Sequence, residues 1–205
     1  MSGFHASFED SRRLTGPNLF FRDCGAVLEV GVTEALPTGA LERWAARVRG
    51  MRAILGWADG PVVIRAHRTG TSLAFAAPED QLFTATELNE WAWLVEASGA
   101  DIDPEQRPHA PGHPSPADVE SVAHTLRCLA AAEAQPAVMA LIHAAKLRHL
   151  PTFLSGDTLS IGAGEGSVTW PTDDLPELAA VDWAELHDIP TVLVTGSNGK
   201  TTTVR

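Results

Sequence analysis

Ile189-Pro190-Thr191-Val192-Leu193-Val194-Thr195-Gly196-Ser197-Asn198-Gly199-Lys200-Thr201-Thr202-Thr203 carries an apolar run into a glycine-bearing turn. Val192-Leu193-Val194 is the kind of short apolar segment that a parallel sheet buries. Gly196 and Gly199 let the backbone turn tightly with its amides pointing inward, which makes an anion nest. In that reading Lys200 brings positive charge to the β and γ phosphates of a nucleotide, and the Thr201 hydroxyl gives an oxygen to Mg²⁺. The residues that follow begin a helix whose first amides face the phosphates. The generic phosphate-loop pattern asks for a glycine where this chain has Val194, so what remains is the shorter form Gly-x-x-Gly-Lys-Thr. Gly-Lys-Thr alone suits an ordinary glycine turn. Apolar strand, loop and helix start together favour a nucleotide site made by Gly196, Ser197, Asn198, Gly199, Lys200, Thr201 and Thr202.

Composition bounds what surrounds that loop. The chain has 205 residues, 44% hydrophobic and 20% charged, the mix of an ordinary globular protein with one large or two small cores. No run of 18 apolar residues is present, so no span is expected. The N-terminus lacks a basic region followed by an apolar stretch, and the expected location is cytoplasmic. Cys24 and Cys128 stand far apart without metal-like spacing and read as buried thiols in a reducing compartment. A net charge of −11 opposes nucleic-acid binding through phosphates. Arg43, Arg47, Arg49 and Arg52 form the basic cluster, read as one solvated helix flank.

The chain reads as an α+β N-terminal domain over 8–100, followed by a proline-rich link over 101–116. A helical hairpin over 117–150, a small β segment over 151–170 and an acidic link over 171–188 come next, and 189–205 opens an α/β nucleotide domain with a parallel sheet. Residues 26–32 are a strand with one polar interruption, Glu29. Leu41, Trp44, Ala45, Val48, Met51 and Leu55 recur at helical steps over 40–55, with Thr38 as cap and Gly56 as stop. Residues 61–67 and 71–76 form a hairpin across Arg68-Thr69-Gly70. The next helix is expected to begin at Thr84, paired with Glu87 in a capping box. Two alanine-rich helices over about 117–134 and 136–149 are separated by Pro136, a first-turn residue.

The segment 189–205 resembles the start of the central domain of the Mur ligase family, whose loop usually reads Thr-Gly-Thr-Asn-Gly-Lys-Thr-Thr; Ser197 here keeps the hydroxyl. Arg13-Leu14-Thr15-Gly16-Pro17-Asn18-Leu19-Phe20 and the strand after it are similar to the N-terminal region of cyanophycin synthetases within that family. In those proteins a segment similar to 159–164 leads into an ATP-grasp domain. Only about 30 residues separate Gly166 from Gly196, too few for one, so the likeness is to a variant without it. The resemblance implies ATP- and Mg²⁺-dependent amide bond formation through an acyl phosphate, on amino-acid or peptide-like substrates. It makes Lys200 the catalytic cation and Thr201 the Mg²⁺ contact through the nucleotide. It also implies that an acidic metal ligand, an adenine pocket and a C-terminal domain lie beyond Arg205, so that this length alone is expected to lack turnover. Nucleic acid and membrane are not expected partners, and a homo-oligomer stays open.

Weaker candidates compete. His109 and His113 near Asp101, Asp103 and Glu105 suggest a metal, against the lack of a fixed scaffold in a proline-rich loop. His143, Lys146 and His149 read as an exposed polar stripe, and Gly162, Gly164 and Gly166 as a strand-to-strand turn. Gly16-Pro17-Asn18 is a turn that would set Arg12, Arg13 and Arg22 beside an acidic substrate. Trp44 and Trp91 belong to apolar helix faces, leaving Trp93 outside them. The competing function is a non-catalytic module that holds a peptide-like substrate or a second subunit.

Overall fold

Two largely apolar strands, Gly25–Gly31 and Gly70–Ala76, form the centre of the first sheet. In the computed structural model, which describes residues 8–31, 38–95 and 118–190, the chain divides after Ala134 into two compact units of mixed α and β structure. In the first, β1 (Asp10–Leu14), β2 (Gly25–Gly31), β3 (Val62–His67) and β4 (Gly70–Ala76) form an antiparallel sheet in the order β1-β2-β4-β3. Leu28 stands opposite Leu73 and Ala26 opposite Phe75. These residues share one face with Val30 and enter a core with helices α1 (Ala40–Leu55) and α2 (Leu82–Leu94).

α1 buries Trp44, Ala45, Val48 and Met51, the stripe its periodicity predicts, and stops at Gly56, whose φ of 73° suits glycine. Thr38 does not cap it. Gly39 takes the cap position at φ 77°, and the Thr38 carbonyl accepts instead from Arg43 Nη1 at 2.9 Å.

α2 is enclosed by the sheet, by α1 and by α3 (Val119–Glu133), and Thr84, Thr86, Glu87 and Asn89 are buried on it beside its apolar residues. A helix covered on most of its circumference keeps only a narrow solvent edge, here Phe83 and the half-buried Glu90. Trp93 is therefore buried together with Trp91, contrary to the periodicity argument that set it aside. The fully buried Asn89 accepts from Trp44 Nε1 at 3.0 Å and donates to the Leu73 carbonyl at 3.0 Å, joining α2 to α1 and to the sheet.

The ends of these helices are completed from elsewhere in the chain. The expected Thr84–Glu87 capping box is absent, because α2 starts two residues earlier, after Gln81. Its first-turn amides, on Phe83 and Thr84, donate to the two oxygens of Glu133 at 2.7 and 2.9 Å, and the Thr84 hydroxyl donates to the same carboxylate at 2.9 Å. At the other end Arg47 Nη1 donates to the Ala92 carbonyl at 3.0 Å. The basic cluster is thus not one solvated flank. Arg43 and Arg49 are exposed, but Arg52 is buried and donates to the carbonyls of Ala58 and Gly60. Burial pushes its guanidinium below the ordinary arginine value, Asp59 opposing the shift and Arg49 adding to it.

α3 is capped by Asp118, whose Oδ1 accepts from the amides of Glu120 and Ser121. It buries Val122, Ala123, Leu126 and Ala130. Cys128 falls on the opposite side of that stripe and is exposed, so of the two cysteines only Cys24 is buried.

In the second unit α4 (Pro136–Lys146) begins on its proline and lays Val138, Leu141, Ile142 and Ala145 against Leu159 and Ile161. The latter belong to β6 of an antiparallel sheet, β5 (Thr152–Ser155), β6 (Thr158–Ile161) and β7 (Val168–Pro171). The glycines at 162, 164 and 166 make the strand-to-strand turn read from the sequence, with φ of 88° at Gly162 and 58° at Gly164. Residues 171–188, read as a link, add Val181 and Leu186 to this core, and the Arg148 guanidinium lies 4.3 Å from the centre of the Trp183 ring. His143, Lys146 and His149 are exposed, as a polar stripe should be. The two helices expected to form a hairpin, α3 and α4, lie in different units. Among the described residues no single helix is long and apolar enough to cross a membrane.

Replacing Asn89 with leucine strands the Trp44 indole N–H in a closed interior and is expected to cost about 2–4 kcal/mol in urea unfolding. Glu133→Ala, which leaves the first turn of α2 without its acceptors, is expected to cost about 1–2 kcal/mol in the same assay. An unchanged midpoint for the second variant would mean that water serves those amides equally well.

Candidate functional site

The phosphate-loop residues Gly196, Ser197, Asn198, Gly199, Lys200, Thr201 and Thr202 lie outside the described residues, as do His109 and His113. What the described residues do assemble is a charged cleft on the face of the first sheet turned away from α1 and α2.

Strand register builds it. Glu29 on β2 stands opposite Asp10 on β1 and Ser72 on β4, and Ser72 stands opposite Arg65 on β3. Since opposed residues of antiparallel strands share a face, these four form one row across the sheet, with Arg12 and His67 two residues along on the same side. Asp10 and Glu29 directly opposite each other would repel. Arg12 resolves this by reaching both, Nε to Asp10 at 2.7 Å and Nη2 to Glu29 at 2.8 Å. The second oxygen of Glu29 accepts from the Ser72 hydroxyl at 2.8 Å and lies 3.3 Å from His67 Nε2. His67 Nδ1 in turn is 3.1 Å from the Thr69 hydroxyl. Arg65 also lines the cleft and makes no ion pair among the described residues.

The cleft encloses about 620 Å³, within the range of small-molecule sites, about 300–1,000 Å³. One wall is the turn after β1, which contributes Asn18, Leu19 and Phe20. Asn18 organises this wall. Its Oδ1 accepts from the amides of Phe20 and Phe21 at 2.9 and 3.0 Å, and its Nδ2 donates to the carbonyls of Gly16 and Asp23 at 2.9 and 3.1 Å. The turn folds back over the sheet, since the Phe21 ring lies 2.9 Å from where a Cβ on Gly25 would project. Leu19 is left 82% exposed at the rim.

Of the three arginines the sequence set beside this turn, Arg12 lines the cleft, while Arg13 and Arg22 are exposed and do not. Glu29, Arg65, His67 and Ser72 were not singled out as site residues. The signal for Glu29 was its polarity inside an otherwise apolar strand. Arg65 alternates with the apolar Ile64 and Ala66 as a half-buried strand requires, Ser72 follows the polar Thr71, and nothing local marks either further. Chemically the cleft offers one carboxylate already engaged by three donors, a guanidinium without an ion pair among the described residues, and an imidazole, which suits recognition of charged groups. Ser72 and His67 both meet Glu29 without a contact to each other among the described residues, and the one hydroxyl within reach of the imidazole is that of Thr69, 3.1 Å from His67 Nδ1. No group of three His, Cys, Asp or Glu side chains able to hold a metal occurs among the described residues. No family model matches the chain, and no curated protein matches it.

Asn18→Asp is expected to destabilise the protein by about 1–2 kcal/mol in thermal or urea unfolding, because the new oxygen would face the carbonyls of Gly16 and Asp23 in place of a donor. A stability equal to wild type would show that the turn is held by its aromatic contacts alone.

Proposed function

We propose that this chain is the leading part of an ATP-dependent carboxylate–amine ligase of Mur type, acting on amino-acid or peptide-like substrates in the cytoplasm. The observation that carries it is the sequence Thr195-Gly196-Ser197-Asn198-Gly199-Lys200-Thr201-Thr202-Thr203 behind an apolar run, which we take to open a parallel-sheet nucleotide domain at residue 189. Its donor set fits a magnesium-bound triphosphate: glycine-flanked amides, one ammonium and consecutive hydroxyls. ATP supplies the activation, its γ-phosphoryl group passing to the substrate carboxylate with loss of ADP, after which an amine displaces phosphate from the acyl carbon. The residues of this chain bind and orient. The amides around Gly196 and Gly199 would hold phosphate oxygens, Lys200 would offset the charge that builds on the transferred group, and Thr201 would give the ion its hydroxyl oxygen.

A second reading, a non-catalytic module that holds a substrate or partner, is favoured by the charged cleft, whose lining among the described residues runs from Glu9 to Ser72 in the first unit.

Lys200→Ala is expected to weaken ATP binding by at least about tenfold, as loss of a charge-assisted phosphate contact does. Calorimetric titration of ATP·Mg²⁺ into this chain, and into the longest natural product of its gene, checks this. Equal affinity for wild type and variant in the longer protein rejects the loop assignment.

A further inference from the structure

The outer edge of β3 is complementary to itself. Antiparallel pairs alternate between those that exchange hydrogen bonds and those that do not. The Ala76 amide donates to the Pro61 carbonyl at 3.0 Å, so by that alternation Val63, Arg65 and His67 exchange hydrogen bonds with their β4 partners Ala74, Ser72 and Gly70. Val62, Ile64 and Ala66 therefore turn their amides and carbonyls away from β4, where no backbone or side-chain group among the described residues meets them. The two edges of the sheet differ in kind. β1 reads Asp-Ser-Arg-Arg-Leu and carries the Asp10–Arg12 ion pair, the charge that blunts an edge against pairing. β3 reads Val-Val-Ile-Arg-Ala-His, with no proline and no acid, and Ile64 is 40% exposed.

We propose that β3 is a dimerisation edge at which a second copy of this chain pairs antiparallel across a twofold axis through Ile64. A twofold axis normal to the sheet preserves its faces, so opposed residues must be an even number of positions apart. With the axis on Ile64, that residue meets its own copy, Val62 meets Ala66 and Val63 meets Arg65. Every outward backbone group of Val62, Ile64 and Ala66 is then matched, and no like charges stand opposite. Moving the axis to Arg65 sets two guanidinium groups face to face. Moving it to Val63 leaves the outward groups of Ala66 unmatched. The favoured register joins two four-stranded sheets into one and places both charged clefts on the same face of it.

Light scattering of the full chain across a concentration series is expected to show a dimer. Ile64→Lys, which opposes two ammonium groups at the axis, should raise its dissociation constant by at least about tenfold. Ile64→Cys in a Cys128→Ser background should yield a disulfide-linked dimer on oxidation, since opposed Cα atoms of a hydrogen-bonded pair lie about 5.5 Å apart. A wild-type monomer at all concentrations, or a dimer that Ile64→Lys leaves intact, overturns the proposal. If circular dichroism shows Ile64→Lys unfolded, the cysteine variant decides: a crosslinked dimer supports the proposal and its absence overturns it. None of these outcomes depends on ATP binding, so they separate from those for the ligase reading.

Discussion

A single buried amide connects the layers of the N-terminal unit. Asn89 is fully enclosed, and burying it without partners would cost several kcal/mol, so its two hydrogen bonds are a condition of the packing. Both partners are distant in sequence, Trp44 on α1 and Leu73 on β4. An apolar residue at 89 would tolerate many rotations of α2 between sheet and helix. The asparagine is satisfied only when its two ends meet an indole N–H and a strand carbonyl together. That requirement sets the rotation of α2, and with it the seats of Trp91 and Trp93 on its two sides.

Enclosing a helix creates a second difficulty, because terminal amides and carbonyls inside a protein have little water to turn to. Here they are served by long side chains from neighbouring elements. Glu133 supplies negative charge at the N-terminus of α2, and Arg47 supplies positive charge near its C-terminus, each with the sign the helix dipole favours. Arg127 reaches the Ile54 carbonyl at the end of α1 in the same manner. Charges that look like surface decoration in the sequence are thereby used to close the ends of packed helices.

This explains what the sequence disclosed and what it withheld. Periodicity located α1, and the left-handed Gly56 located its end, because both are local properties. The hairpin β3–β4 and the start of α4 at Pro136 were legible for the same reason. The cap of α2 was not, since its acceptor sits 49 residues downstream of Thr84 and a local Thr–Glu pair imitates the usual motif. Trp93 and Arg52 were misplaced by one common assumption, that each helix has one buried face of ordinary width, whereas Cys128 was misplaced by the general tendency of free thiols to be buried, which takes no account of its position on α3. The cleft residues Arg12, Glu29, Arg65, His67 and Ser72 are spread over four strands and come together through register alone, which no single stretch of sequence states.

Register also ties the cleft to the core. Exposed and half-exposed ion pairs contribute about 0–1 kcal/mol each, and Glu29 lies opposite Asp10, so sheet stability gives little reason for an acid in the middle of β2. A valine or threonine there would fit the strand better. What the acid provides is position: Arg12, Ser72 and His67 gather around one carboxylate at the floor of the cleft. Because side chains alternate along a strand, the pairing that turns Leu28 toward Trp44 also turns Glu29 outward. A slip of one residue would drive the carboxylate into the core and expose the leucine. The hydrophobic core and the charged cleft are thus two faces of one register, and whatever fixes the first delivers the second.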